Sequence, residues 1–151
     1  MTKQPITWVV VADGEHARIV VTKEKGSSYV TLREFTSPAA RASSHELGAD
    51  RPGRTQESVT TVRHAIQPRS DPHEQAKQEF AREVATALNE ASVNNEFDRI
   101  VLVAQPQLAA TLRAGLAEAV RRKIVGALQK DLTKVPDHEL ARHFDAIDRI
   151  L

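Results

Sequence analysis

The pattern of hydrophobic and polar residues divides this chain into a strand-rich start and a helix-rich remainder, separated by a long polar stretch. Three apolar, β-branched segments in the first part predict strands, at 6–12, 17–22 and 29–35. Asp13-Gly14 lies between the first two segments and is a strong hairpin signal. The residues at 25–28 predict a second turn. The first part is therefore predicted to be an antiparallel meander of three strands.

After the polar stretch, the spacing of the apolar residues becomes helical. Asp71 is a good N-cap residue, Pro72 suits the first helical position, and Glu74 completes a capping box. Apolar residues then recur along one face until Asn94-Asn95, where the predicted helix ends. These residues are Ala76, Phe80, Val84, Ala87, Leu88 and Ala91.

Strand and helix patterns alternate in the rest of the chain. Residues 99–104 form a near-continuous apolar run, which is typical of a strand in a covered sheet, and a weaker strand is predicted at 123–128. Between them, a helix is predicted to begin at Pro106, with an apolar face formed by Leu108, Leu112, Leu116 and Val120. A final helix is predicted from about Pro136 to Ile150, with a buried side formed by Leu140, Phe144, Ile147 and Leu151.

This order of elements implies right-handed βαβ crossovers, so the predicted fold class is α/β with a mixed sheet. We expect residues 1–151 to form a single domain. Ligands of such sheets bind beyond the carboxyl ends of the strands. For the strand that ends at Ala104, this region contains Gln105, Pro106 and Gln107, where backbone N–H groups at a helix start can meet an anion.

The polar stretch, residues 37–71, is about 35 residues long and has no clear period. Loops of this length in a compact domain are usually functional or disordered. The net charge of the whole chain is +1, so an anion site has to be a local patch. From Ser37 to Arg69 the stretch contains five arginines, no lysine and three acids, which leaves +2 with its histidines neutral. The arginines are Arg41, Arg51, Arg54, Arg63 and Arg69, and the acids are Glu46, Asp50 and Glu57.

Within this loop, a rigid turn is predicted at Pro52-Gly53, which suits the centre of a type II turn. The turn would bring the Cα atoms of Arg51 and Arg54 within about 7 Å of each other. Two guanidinium groups at this distance can clamp a phosphate or a carboxylate. The predicted anion- or RNA-binding residues are Arg51, Arg54, Arg63, Arg69 and Arg18, and the predicted loop-shaping residues are Gly48, Asp50, Pro52 and Gly53.

Two alternatives for these residues remain open at this point. The loop can be a solvated connector in which Pro-Gly only turns the chain. Arg18 can pair with Asp50 instead of contacting an anion. Aromatic residues make up 4% of the chain, and none lies between Phe35 and Phe80. We therefore expect contacts to the backbone of a nucleic acid rather than recognition of its bases.

Several other chemistries are not supported by the sequence. The chain has no cysteine, which excludes disulfides, thiol catalysis and cysteine metal sites. His138 and His143 are five residues apart, which does not place them together on a helix, so no metal site is predicted. Phosphate-binding glycine motifs are missing, and no cofactor is predicted. Neither a signal peptide nor a membrane span is recognisable, so we expect a cytoplasmic protein.

Taken in order, several motifs resemble the bacterial host attachment protein family. The most specific are the segment 12–18 (ADGEHAR) and the segment 50–54 (DRPGR). The strand and helix start at 99–108 and the segment 130–134 fit as well. The resemblance covers nearly the whole chain. That family is similar in fold to the middle domain of archaeal and eukaryotic class-1 translation release factors, which implies an α/β domain with a long mobile loop.

The resemblance implies a fold but not peptide release. The loop of the release factors carries a Gly-Gly-Gln tripeptide, and this tripeptide occurs nowhere in the chain. We therefore expect a non-catalytic binding protein that engages RNA or the ribosome through the arginine-rich loop. Two alternatives are a module that binds a protein partner in connection with host attachment, and a hydrolase of unidentified chemistry.

Overall fold

The structure, a computed structural model, describes residues 5–22, 29–37 and 72–144. The turn predicted at 25–28, the N-cap at Asp71 and the last residues of the final predicted helix lie outside the described residues. The first three strands are β1 (Thr7–Ala12), β2 (His16–Thr22) and β3 (Tyr29–Thr36). The later elements are α1 (Pro72–Val93), β4 (Arg99–Val103), α2 (Pro106–Gly115), α3 (Glu118–Arg121), β5 (Ile124–Leu128) and a 3₁₀ helix (Asp137–His143).

Within the described residues, five strands form one mixed sheet in the order β3-β2-β1-β4-β5. β1 pairs antiparallel with β2, and β2 pairs antiparallel with β3, which confirms the predicted meander. β1 also pairs in parallel with β4, and β4 pairs in parallel with β5. The predicted α/β class with a mixed sheet is therefore confirmed.

The central strands are buried on both faces, which explains why they read as continuous apolar runs rather than alternating ones. Along β1, Trp8 and Val10 face the helices, while Val9 and Val11 face the other side of the sheet. All four side chains are at most 1% exposed. β4 divides its apolar side chains between the two faces in the same way.

The helical face of the sheet is covered by α1, which turns an alanine-rich stripe inward. Small side chains let a helix approach its neighbours closely. A Cβ atom added at Gly115 of α2 would lie 2.9 Å from the Cβ atom of Ala85, so the two helices nearly touch there. Phe97 follows α1 and packs on Trp8, with ring centroids 4.8 Å apart.

The opposite face is covered by residues 129–144, and here one prediction has to be corrected. The helix predicted from Pro136 is a 3₁₀ helix over its described part, Asp137–His143. Side chains three residues apart eclipse in a 3₁₀ helix, so Asp137 and Leu140 point to the same side. Asp137 contacts Arg18 there, and Leu140 enters the core, as Phe144 does. Both apolar residues are buried as predicted, while Ile147 and Leu151 lie outside the described residues.

The helix predicted to continue from Pro106 to Val120 is a second correction, because it is divided into α2 and α3. Leu116 is extended, with φ −81° and ψ 139°. The side chain of Asn89 bridges the break: its amide donates to the carbonyl of Gly115 (3.1 Å), and its oxygen accepts from the N–H of Ala117 (2.8 Å). The apolar spacing nevertheless identified buried residues correctly, since Leu116 and Val120 are both buried.

Asn89→Ala is expected to lower the free energy of unfolding by about 1.5 kcal/mol. Two hydrogen bonds contribute about 1 kcal/mol each, and the higher helix propensity of alanine offsets about 0.5 kcal/mol of that loss. Denaturant unfolding followed by circular dichroism measures the change. Asn94→Ala is the matched control, because Asn94 is exposed just after α1 and its side chain has no described hydrogen bond. Equal losses in the two variants would contradict the bridge.

Candidate functional site

The carboxyl ends of β1 and β4 meet at one edge of the sheet because the two strands are parallel and adjacent. The hairpin 13–15 follows β1, and Gln105 follows β4 and precedes α2. A cleft of about 230 Å³ opens at this edge. Its lining residues are Asp13, Gly14, Glu74, Lys77, Gln78, Gln105, Gln107, Leu108 and Thr111. This edge cleft contains the position predicted from the end of the strand at Ala104.

The carboxylate of Asp13 is occupied by the hairpin itself. Its Oδ1 atom accepts hydrogen bonds from the backbone N–H groups of Glu15 (2.7 Å) and His16 (2.6 Å). Its Oδ2 atom lies 3.0 Å from the hydroxyl of Thr133, which comes from the opposite face of the sheet and shares its one proton between Asp13 and Oδ1 of Asp131 (2.5 Å). Asp13 therefore shapes the turn and ties it to segment 129–144, and it offers little further capacity to a ligand.

One wall of the edge cleft is formed where the hairpin meets α1. A Cβ atom added at Gly14 would lie 2.7 Å from Cγ and 2.8 Å from Cδ of Lys77, so the lysine stem packs directly against the glycine. The ammonium group of Lys77 lies 3.7 Å from Oε1 of Glu74. The positive charge of Lys77 is thus paired with Glu74 within the cleft. The close packing of hairpin and helix requires glycine at position 14.

Neutral polar groups form the rest of the cleft. Gln78 comes from α1, and Gln105 and Gln107 come from the start of α2. Among the described residues, the carboxamides of these three glutamines have no hydrogen-bond partner. Leu108 supplies an apolar surface and packs partly against the core. The cleft therefore presents unpaired donors and acceptors beside a small apolar patch.

The described residues on both sides of the predicted loop lie near this same edge. The N–H of Ser37, which follows β3, donates to the carbonyl of Glu15 in the hairpin (2.9 Å). On the other side, α1 begins at Pro72, and its first turns line the edge cleft. The predicted loop residues themselves lie outside the described residues: Gly48, Asp50, Arg51, Pro52, Gly53, Arg54, Arg63 and Arg69.

Arg18, the remaining predicted anion-binding residue, lies on the opposite face of the sheet, beside Val11 in the register. Its Nη1 donates to the carbonyl of Thr133 (2.7 Å), and its Nη2 donates to the carbonyl of Val135. Its Nε lies 3.1 Å from Oδ1 of Asp137, an ion pair that is misaligned for a hydrogen bond. The side chain is 14% exposed. Arg18 therefore joins the meander to segment 129–144.

The partner of Arg18 in the described structure is Asp137, more than one hundred residues away, while the hypothetical partner Asp50 lies outside the described residues. Asp137 also accepts a hydrogen bond from the hydroxyl of Thr31 (2.6 Å). No local sequence pattern pointed to this cluster, because its members come from β2, β3 and the last described segment. The anion-binding role of Arg18 remains a prediction.

Within 5–22, 29–37 and 72–144, no three histidine or acidic side chains come together in a way that could hold a metal ion. Across those same ranges, no helix is both long enough and apolar enough to cross a membrane.

The chain matches a known protein family. A family model described as "protein required for attachment to host cells" matches residues 8–144. This range contains every described strand except the first residue of β1, together with all described helices. No curated protein matches the chain in sequence.

Arg18→Ala is expected to lower the free energy of unfolding by about 2 to 3 kcal/mol, because hydrogen bonds to a charged group contribute about this much and two carbonyls lose their donor. Arg18→Lys should lie in between, because an ammonium group does not reproduce the fork of guanidinium donors. The measurement is denaturant unfolding. Arg122→Ala is the control: its ion pair with Glu118 is exposed, so a change below about 0.5 kcal/mol is expected. Equal changes at positions 18 and 122 would refute this role.

Gly14→Ala is expected to lower stability by about 1 to 2 kcal/mol through the clash with the Lys77 stem, since overpacking costs this much. In the double variant with Lys77→Ala the clashing atoms are gone, so the loss should largely disappear. A double-mutant cycle on unfolding free energies measures this coupling. Additive effects would mean that the glycine and the lysine do not form one wall.

Proposed function

The chain belongs to the family of proteins required for attachment to host cells, and we propose that it is a non-catalytic module that binds the phosphate backbone of RNA, in particular RNA of the ribosome. One observation carries this proposal: the predicted loop, in which every basic residue is an arginine, is flanked by described residues at the edge cleft, with Ser37 bonded to the hairpin and the first turns of α1 lining the cleft. In the proposal, the arginines act at this edge, where sheets of this class bind ligands.

The formal charges favour the predicted loop over the edge cleft as the phosphate-binding part. Asp13 and Glu74 against Lys77 give the lining of the cleft a formal charge of −1, so the cleft itself is a poor phosphate site. Residues 37–69 of the predicted loop, at +2, are the better phosphate site. In the proposal Arg51 and Arg54 are the main phosphate contacts, supported by Arg63 and Arg69, because guanidinium groups bind phosphate bidentately. Arg18 acts through the fold, since both of its Nη groups are occupied by carbonyls.

The ribosomal target rests on the resemblance of the family to the middle domain of class-1 release factors. Such a likeness concerns the fold and cannot supply a mechanism. The catalytic tripeptide of those factors is missing from the sequence. Hydrolysis gains no support from the edge cleft either, because the carboxylate of Asp13 is committed to the hairpin and Glu74 is paired with Lys77.

A second candidate function, binding of a protein partner, is favoured by a different observation. On β3, which lies at one end of the described sheet, Val30 and Leu32 are 47% and 51% exposed. Two exposed apolar residues are few for an interface. β3 also carries two charged residues, Arg33 and Glu34, and its pairing with β2 has a register irregularity next to Val20. Charged side chains and irregular pairing both discourage edge-to-edge association of strands. RNA binding is therefore the leading proposal.

The test is binding of fluorescently labelled ribosomal RNA and of whole ribosomes over a salt series, with the wild type beside Arg51→Ala/Arg54→Ala. Affinity should fall steeply with salt for the wild type. The variant should bind more weakly. For single strands its log–log salt slope should be smaller by about 1.4, because each phosphate that an arginine neutralises contributes about 0.7 to the slope.

The matched control is Arg113→Ala/Arg122→Ala, which removes two exposed arginines that do not line the edge cleft, at the last turn of α2 and just after α3. This control should bind like the wild type at every salt concentration. If both double variants lose affinity equally, the binding is a general charge effect. If the wild type binds no RNA at low salt, the proposal is wrong, and the search moves to protein partners.

A further inference from the structure

The edge cleft has hydrogen-bonding capacity that phosphate binding by the loop does not use. Its ionised groups are satisfied within the protein: Asp13 accepts two backbone hydrogen bonds, and Glu74 faces Lys77. The carboxamides of its glutamines, in contrast, have no hydrogen-bond partner among the described residues. Gln78, Gln105 and Gln107 line the same cleft from two different helices. What the cleft offers a ligand is therefore mainly uncharged donors and acceptors.

A carboxamide carries both a carbonyl acceptor and an NH₂ donor, so it pairs with groups that present a donor and an acceptor side by side. The edges of nucleobases have this arrangement, and glutamine binds adenine bidentately. The side chain of Gln105 makes no capping hydrogen bond to α2, although Gln105 is the N-cap residue. Its carboxamide is thus available to a ligand at no cost to the helix.

The size and surface of the edge cleft limit the ligand further. Pockets for drug-sized molecules have volumes of about 300 to 1,000 Å³, whereas this cleft has about 230 Å³. It therefore suits one planar group rather than a whole cofactor. Leu108 gives that group an apolar surface on which to lie. Aromatic stacking, which is common in RNA-binding proteins, is replaced here by hydrogen bonds from three carboxamides.

We propose that the edge cleft binds one unpaired RNA base through Gln78, Gln105 and Gln107. This inference rests on the proposed RNA-binding function and adds to it a preference for single-stranded RNA. A base within a duplex has its pairing edge occupied, while bases in loops and ends present theirs to proteins. The expectation of backbone contact alone, drawn from the scarcity of aromatic residues, is thereby extended to a base contact that needs no aromatic side chain.

The test compares fluorescence anisotropy of an unpaired RNA decamer and of a hairpin RNA that has the same number of phosphates and a base-free polyethylene glycol linker as its loop. The wild type should favour the unpaired decamer. Gln78→Ala/Gln105→Ala/Gln107→Ala should bind the decamer about tenfold more weakly, because a bidentate pairing with a base contributes about this factor. Its affinity for the hairpin and its salt slope should stay unchanged, because no arginine is altered. Gln129→Ala, an exposed glutamine after β5, is the control.

A second readout is independent of affinity. In the wild type, the side-chain NH₂ resonances of the three glutamines should shift on addition of the decamer, while that of Gln129 should not. Thermal melting of the triple variant checks that it is folded.

The outcomes separate the two proposals. If the triple variant binds the decamer like the wild type and the glutamine resonances do not move, the base site is wrong, while phosphate binding by the loop stands. If the wild type binds neither RNA, both proposals are wrong.

Discussion

The rest of this structure depends on the parallel pairing of β1 with β4. Both strands are buried on both faces, so their pairing joins the N-terminal meander to the helical part of the chain in one core. The same pairing brings two carboxyl ends to one edge, where the hairpin after β1 and the start of α2 form the edge cleft. The burial of two apolar strands thus determines where the polar side chains of the edge cleft come together, although the paired residues themselves lie in the core.

Much of this fold could be predicted because its signals are local. Apolar runs and the Asp-Gly turn identified the meander, and helical spacing together with Pro72 identified α1. The two errors have tertiary causes. α2 ends at Gly115 because Asn89, from another helix, satisfies the backbone at the break. The last described turn is a 3₁₀ helix, in which Asp137 meets Arg18 while Leu140 stays in the core.

The candidate site was predictable only in part for the same reason. Gln105 and Gln107 follow a strand, so the general rule for α/β sheets pointed to them. Gln78 and Lys77 lie on the polar face of α1, and nothing in their spacing distinguishes them from solvated neighbours. They join the site because Gly14 allows the hairpin to approach that helix. The role of Arg18 could not be predicted for a similar reason, since its partners are distant in sequence and close in space.

The pairing of β1 with β4 also has a consequence for the nascent chain during its synthesis on the ribosome. Thr7 and Arg99 are register partners, and 92 positions separate them. At a synthesis rate of roughly 5 to 20 residues per second, β1 waits roughly 5 to 20 s for β4 to be made. During this time β2 can cover one side of β1, and the other side presents an open apolar strand edge, the kind of surface on which nascent chains aggregate. Once the fourth strand has been made, it covers this edge by pairing with β1.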